Sequence, residues 1–229
     1  DNMVLVVAGN VDAGQIAELA AKLTDDWQPQ GVCHERRPPA MRTGTLVRQI
    51  ERFRQQLIAL VFAAPAAADP QEEAAEAAAA ILGGENSRIY WNIVQEGIAP
   101  RAGAYRIDYA DCGLMVLFGE CEPARAEQLA EALQREAIRI STEPVRPEEL
   151  QRVRNKRRTS LATEAEAPYY RLLQIADDVD YRGRPRTVQE RLAAVDAVTV
   201  ESVSEYFRRY PITDHGCFIS VGPRDWPPI

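Results

Sequence analysis

Asp69-Pro70-Gln71-Glu72 is the firmest structural instruction in this sequence. An aspartate supplies a side-chain acceptor at a helix start, proline has the backbone angle of a first helical position, and an acid in the first turn faces the positive end of the helix dipole. The alanine-rich run that follows is therefore expected to be helical until Gly83-Gly84, where glycine admits the left-handed cap conformation. Strand-like segments flank it. Leu46 to Phe53 and Gln56 to Ala63 come before; Pro100 to Tyr109 and Gly113 to Cys121 come after, as a hairpin turning at Ala110-Asp111-Cys112. A helix between strand pairs excludes an all-β chain, and paired strands exclude strict alternation of single strands and helices.

The rest of the chain extends the pattern. Met3 to Gly9 is a continuous, β-branched-rich apolar run, the signature of a strand buried on both faces. Asp12 with Gln15 three residues on forms a capping-box pair, and Ile16, Leu19, Ala20 and Leu23 make one helical stripe. A proline-rich polar connection covers 28–42. Short helical signals cover Ser87 to Gln95, and a longer one runs from Glu122 to Ile140. Pro147 opens a helix reaching Ala167, and Pro168 forces a bend or break before a helix to Tyr181. Thr199 caps a last helix through Tyr210, and His215 to Val221 reads as a closing strand. The fold class is α+β: a mixed, mainly antiparallel sheet with helices packed on one face, in a single domain over residues 1–229.

The chain opens in mid-strand at Asp1 without a charged and apolar leader, as a processed product or a piece of a longer protein would. No run of about 18 apolar residues is present, so no membrane-spanning helix is expected. A formal net charge of -7 argues against a nucleic-acid partner. The basic cluster Arg152, Arg154, Lys156, Arg157 and Arg158 lies in the helix opened by Pro147, one turn beyond Glu148 and Glu149, and reads as a solvated or domain-contact stripe.

Chemistry-bearing motifs are scarce. The chain has two histidines, His34 and His215, in unrelated contexts, and neither belongs to a His-x-x-Glu-His or His-Glu-x-x-His arrangement. Such motifs bring two imidazoles from one helical face onto a zinc ion while a carboxylate activates its water. Cys33, Cys112, Cys121 and Cys217 form no Cys-x-x-Cys pair, and the last three sit in strand-like apolar settings that suit small buried thiols. A reducing cytoplasm fits this usage, and a periplasmic setting stays open.

Three segments carry a family resemblance. Asn2-Met3-Val4-Leu5-Val6-Val7-Ala8-Gly9-Asn10-Val11-Asp12, Gly83-Gly84 followed by Ser87-Arg88-Ile89-Tyr90, and Asp196-Ala197-Val198-Thr199 resemble the pitrilysin, insulysin and mitochondrial processing peptidase family, the inverted zincins. Their order spans essentially the whole chain and matches the second, inactive half of those two-part zinc metallopeptidases. The resemblance implies no activity and no cofactor in this chain alone. It implies zinc in a homologous partner half, fused or separate, and a clamshell of the two halves around an extended peptide. Self-association stays open. In the family an arginine and a tyrosine of this half hold substrate; here those positions fall on Val94 and Pro100, with Arg101 and Tyr105 nearby. The substrate-binding candidates are thus Ser87, Arg88, Tyr90, Arg101 and Tyr105. The alternative reading is a catalytically dead scaffold subunit, resembling the core proteins of respiratory complexes.

Overall fold

Alternating apolar residues in Gln56–Ala64 (β2) and Gly113–Cys121 (β4) build the centre of the molecule. The two pair antiparallel, with Leu60 opposite Leu117 and Phe62 opposite Met115. Arg101–Asp108 (β3) joins the outer side of β4, and Cys217–Gly222 (β5) the outer side of β2. Gly44–Gln49 (β1) completes the sheet parallel to β5, in the order β1-β5-β2-β4-β3. This computed structural model describes residues 3–31, 37, 39–213 and 216–227.

The helices are Ala13–Leu23 (α1), Glu72–Gly83 (α2), Ala126–Thr142 (α3), Pro147–Glu166 (α4), Pro168–Arg182 (α5), Val188–Asp196 (α6) and Val200–Arg209 (α7). Ile58, Leu60 and Phe62 of β2 and Met115 and Leu117 of β4 enter a single core with α2, α3 and α7, including Ile81, Leu82, Leu129, Leu133 and Tyr206. All these strand residues share one parity, hence one face. The mainly antiparallel sheet covered by helices on one face is the architecture the sequence announces.

Charge pairs fasten the outer helices. Asp178 of α5, only 2% exposed, accepts bonds from the backbone and side chain of Arg186 at 2.8 and 2.9 Å and faces Arg191 at 2.7 Å. Burial by itself would raise the Asp178 carboxyl, yet these donors hold it below its ordinary value. Arg182 pairs with Glu72, so the end of α5 is tied to the start of α2. Three members of the basic cluster of α4 are engaged within the chain: Lys156 reaches Glu85 at 2.8 Å, Arg158 pairs with Asp196, and Arg154 donates to the Val198 carbonyl.

Several expectations are corrected. Met3 to Ala8 is irregular and mostly exposed, Met3 and Leu5 being 72% and 70% accessible, and among the described residues no strand pairs with it. The Asp12 carboxylate does cap α1 at the Gln15 N–H, 2.8 Å away, but α1 buries none of its residues. Asp69 caps a turn, accepting from the Gln71 N–H at 2.8 Å, and α2 begins at Glu72. Gly84 is extended, not left-handed. The glycine at 83 is required by proximity: a Cβ there would stand 1.6 Å from the Ala104 nitrogen, where α2 ends against β3. The segment after Ser87 includes a π-helical turn, Tyr90–Val94. Helix α6 is an addition to the helices that the sequence pattern announces. Cys121 is buried and its thiol is pushed up to about 11, whereas Cys112 and Cys217 are half-buried. His34, His215 and Cys33 lie outside the described residues.

Replacing Gly83 by alanine should separate α2 from β3. We expect a loss of about 3 kcal/mol, the upper end for overpacking, read as a lower denaturant midpoint with an unchanged slope.

Candidate functional site

Residues of the opposite parity face away from the core. On β3 these are Arg101, Gly103, Tyr105 and Ile107; opposite them on β4 are Glu120, Phe118, Val116 and Leu114. The face continues through Leu57, Ala59 and Val61 on β2 and Val221, Ile219 and Cys217 on β5 to Arg48 and Leu46 on β1. None of these side chains belongs to the helix-packed core. One side of the sheet is therefore free of the helices, a largely apolar wall whose middle, at Ala59 and Val116, is buried and whose margins, at Arg101, Tyr105, Leu46 and Arg48, are open.

At one end of the wall four side chains form a unit. The Arg101 guanidinium lies 5.4 Å from the Phe118 ring centroid and donates to Glu120 at 3.0 Å. Tyr105 meets the same phenylalanine edge-on, with centroids 5.5 Å apart. Tyr105 is 46% exposed, so its ring and hydroxyl are open to a ligand while Phe118 fixes one side of the ring. Arg101 is exposed and pairs with the half-buried Glu120 carboxylate, and pairs with one partner in solvent are weak and exchangeable. Beside Glu120, the turn carrying Arg52 and Arg54 lines a shallow hollow with Leu57 and Val221. The apolar wall thus has a cationic rim of Arg48, Arg52, Arg54 and Arg101. Positive charge at a margin disfavours the approach of cationic side chains.

The other three candidates lie on the helical side. Ser87 is buried and its hydroxyl accepts from the Tyr90 N–H at 3.1 Å, fixing the start of the helical turn. Arg88 makes a two-point contact with Glu149 of α4, at 3.0 and 2.9 Å, and donates to the Pro144 carbonyl at 3.3 Å. Burial would raise the Glu149 carboxyl, but bonds from Arg88 and from the backbone and side chain of Arg146 hold it down at about 2. The Tyr90 hydroxyl is bonded to Gln95 at 2.5 Å, and its ring meets Trp91 edge-on. Val94 is half-buried in the π-helical turn, and Pro100 is exposed where the chain enters β3. The structure brings Arg101 and Tyr105 together and leaves Ser87, Arg88 and Tyr90 apart from them. Phe118 and Glu120 were not singled out in the sequence; the alternation of the hairpin, matched across its turn, would have found both.

Among the described residues no group of three His, Cys, Asp or Glu side chains is placed to hold a metal ion, and no helix is long and apolar enough to cross a membrane.

Comparison with known proteins follows the same lines. Residues 1–157 match the family described as Peptidase M16 inactive domain. The chain is 22% identical over 217 residues to an uncharacterised zinc protease, YmxG, of Bacillus subtilis, covering 94% of this chain and 53% of that protein. A crystal structure of a protease from Helicobacter pylori superposes with a TM-score of 0.82 at 14% identity, over 93% of this chain and 54% of the other. A chain of Complex III2 from Candida albicans gives a TM-score of 0.79 at 21% identity, over 94% of this chain and 54% of the other. The chain thus spans about half the length of these relatives.

Arg88→Ala should destabilise the fold by about 3–5 kcal/mol, because it leaves the Glu149 carboxylate buried with fewer donors; Arg88→Met with Glu149→Leu should recover most of that loss. Glu149 ionises near pH 2 in the fold against an ordinary 4.5, so its contribution is complete above the ordinary value and declines as pH falls toward 2. The gap between thermal melts of the parent and Glu149→Gln should therefore stay constant from neutral pH to about 4.5 and narrow as pH falls from there toward 2.

Proposed function

The chain belongs to the family of the Peptidase M16 inactive domain, and from that premise we propose that it is the non-catalytic, substrate-enclosing half of a zinc metallopeptidase acting on peptides. The observation that carries this reading is the open side of the sheet, with Arg101, Phe118 and Tyr105 grouped on it. Zinc and its activated water belong to a homologous half, fused or separate. The two sheets enclose an extended peptide, and this chain contributes the wall that confines it.

Three features support the assignment. A wall of β-branched, aromatic and small side chains accepts many sequences by apolar contact, which suits a peptidase that handles varied chains. Arg101 and Tyr105 stand near the sequence positions at which the family places its substrate-holding arginine and tyrosine, so we assign them the contacts that Val94 and Pro100 cannot make. Arg88 is engaged with Glu149, and we assign Ser87, Arg88 and Tyr90 to holding the helical layer. The exposed stripe of α1, with Leu19 52% and Leu23 67% accessible, is the surface we assign to the homologous half. The fold-level likeness to a chain of Complex III2 favours a second reading, a scaffold that encloses nothing to be cut.

Reassembly with the zinc-bearing half separates the two. Under the first reading the pair cleaves a peptide library, and removing zinc with a chelator abolishes cleavage. Arg101→Ala with Tyr105→Ala should lower kcat/KM by about tenfold, the effect of losing one or two positioning contacts, with little change in melting temperature because both side chains are exposed. A pair that is folded and zinc-loaded yet cleaves nothing sinks the peptidase reading and leaves the scaffold.

A further inference from the structure

On the far side of the molecule from the open wall, α2, α4 and the end of α6 enclose a cleft of about 220 Å³. That is smaller than the roughly 300 Å³ at which pockets for drug-sized ligands begin, and it suits a molecule the size of one amino acid. Its floor is aliphatic: Ala77, Ala80, Leu150, Val153, Val195 and Val198. Its two long walls carry opposite charge. Glu73 projects from the first turn of α2, and Arg157 stands across from it on α4.

These two charges influence one another, yet no hydrogen bond or ion pair joins them, and neither has such a partner elsewhere among the described residues. Burial pushes the Glu73 carboxyl up, and the Arg157 charge pulls it only part of the way back. The Arg157 Nε is buried with no acceptor. By contrast, Lys156 and Arg154 on the same rim are already occupied, by Glu85 and by the Val198 carbonyl. A partly desolvated acid and base facing one another across an apolar floor are an unfilled arrangement, because the cationic groups around Glu73 offset its burial only through space and none is bonded to it.

We propose that this cleft binds a free apolar amino acid, with its ammonium on Glu73, its carboxylate on Arg157 and its side chain on the aliphatic floor. One small molecule carries adjacent positive and negative groups and an apolar branch, and that is the pattern the cleft presents. A peptide terminus carries only one of the two charges at that spacing. A simple fatty acid would leave Glu73 without a partner, and an alkylamine would leave Arg157 so. The inference does not depend on the peptidase reading, since the cleft opens on the helical side, away from the wall.

Titration calorimetry of the 229-residue chain with L-leucine tests it, with three analogues as arms: leucinamide, 4-methylpentanoic acid and glycine, lacking the carboxylate, the amine and the side chain. Leucine should bind, and each analogue should bind at least about tenfold more weakly, as expected for loss of one charge-assisted contact or of the apolar burial. Glu73→Gln and Arg157→Gln should each abolish leucine binding while the chain stays folded, because neither side chain has a hydrogen bond or ion pair to lose. If a variant unfolds, chemical-shift changes on leucine addition to the parent, confined to α2, α4 and α6, take its place. No binding of leucine at millimolar concentration, equal binding of the deaminated acid, or undiminished binding by folded Glu73→Gln or Arg157→Gln overturns the proposal.

Discussion

The register of β2 against β4 decides which side chains meet the helices and which face outward, because a strand changes face at every residue. With Leu60 opposite Leu117 and Phe62 opposite Met115, the large apolar residues fall under α2, α3 and α7. The same register sends Leu57, Val61, Val116, Phe118 and Glu120 to the other side. A slip of one residue would place Glu120 in the core and Leu117 in solvent, so burial itself enforces the pairing. Hydrogen bonds from the buried Gln56 side chain to Ser220 and the Arg224 carbonyl, at 2.8 and 3.1 Å, then fix β5 against β2. Both sides of the sheet are thus specified by one choice: a sealed side and an open one.

Much of this was legible in the chain. Alternation between Gln56 and Ala64 and between Gly113 and Cys121 announced strands, and prolines at 147 and 168 marked where helices start and break. What escaped was set by distant partners. Met3 to Ala8 has the composition of a strand, but a strand exists only beside another. Gly83 reads as a helix stop, whereas its need is the backbone of β3, met only after folding. Helix α6 has a Thr187–Glu190 capping box, yet its apolar periodicity is too faint to announce it. The candidate site divides along the same line. Tyr105 and Arg101 follow from parity within one hairpin, while the engagement of Arg88 with Glu149 spans 61 residues and has no local signature.

The sheet of this member of the Peptidase M16 inactive-domain family is one-sided. A helical layer on one side supplies stability, including the Asp178 and Glu149 charge clusters that bind the outer helices down. The other side is released from that duty and can present a surface to something else. The proposed role as a confining surface for a peptide rests on that apolar breadth.

Site-specific photo-crosslinking addresses the central claim most directly. A benzophenone side chain placed at Tyr105 on the open wall, or at Trp91 on the helical side, has comparable exposure, 46% against 54%. In the presence of the zinc-bearing half and an extended peptide, the open wall as the enclosing surface predicts peptide adducts from position 105 and none from 91. Adducts from 91 alone would contradict it.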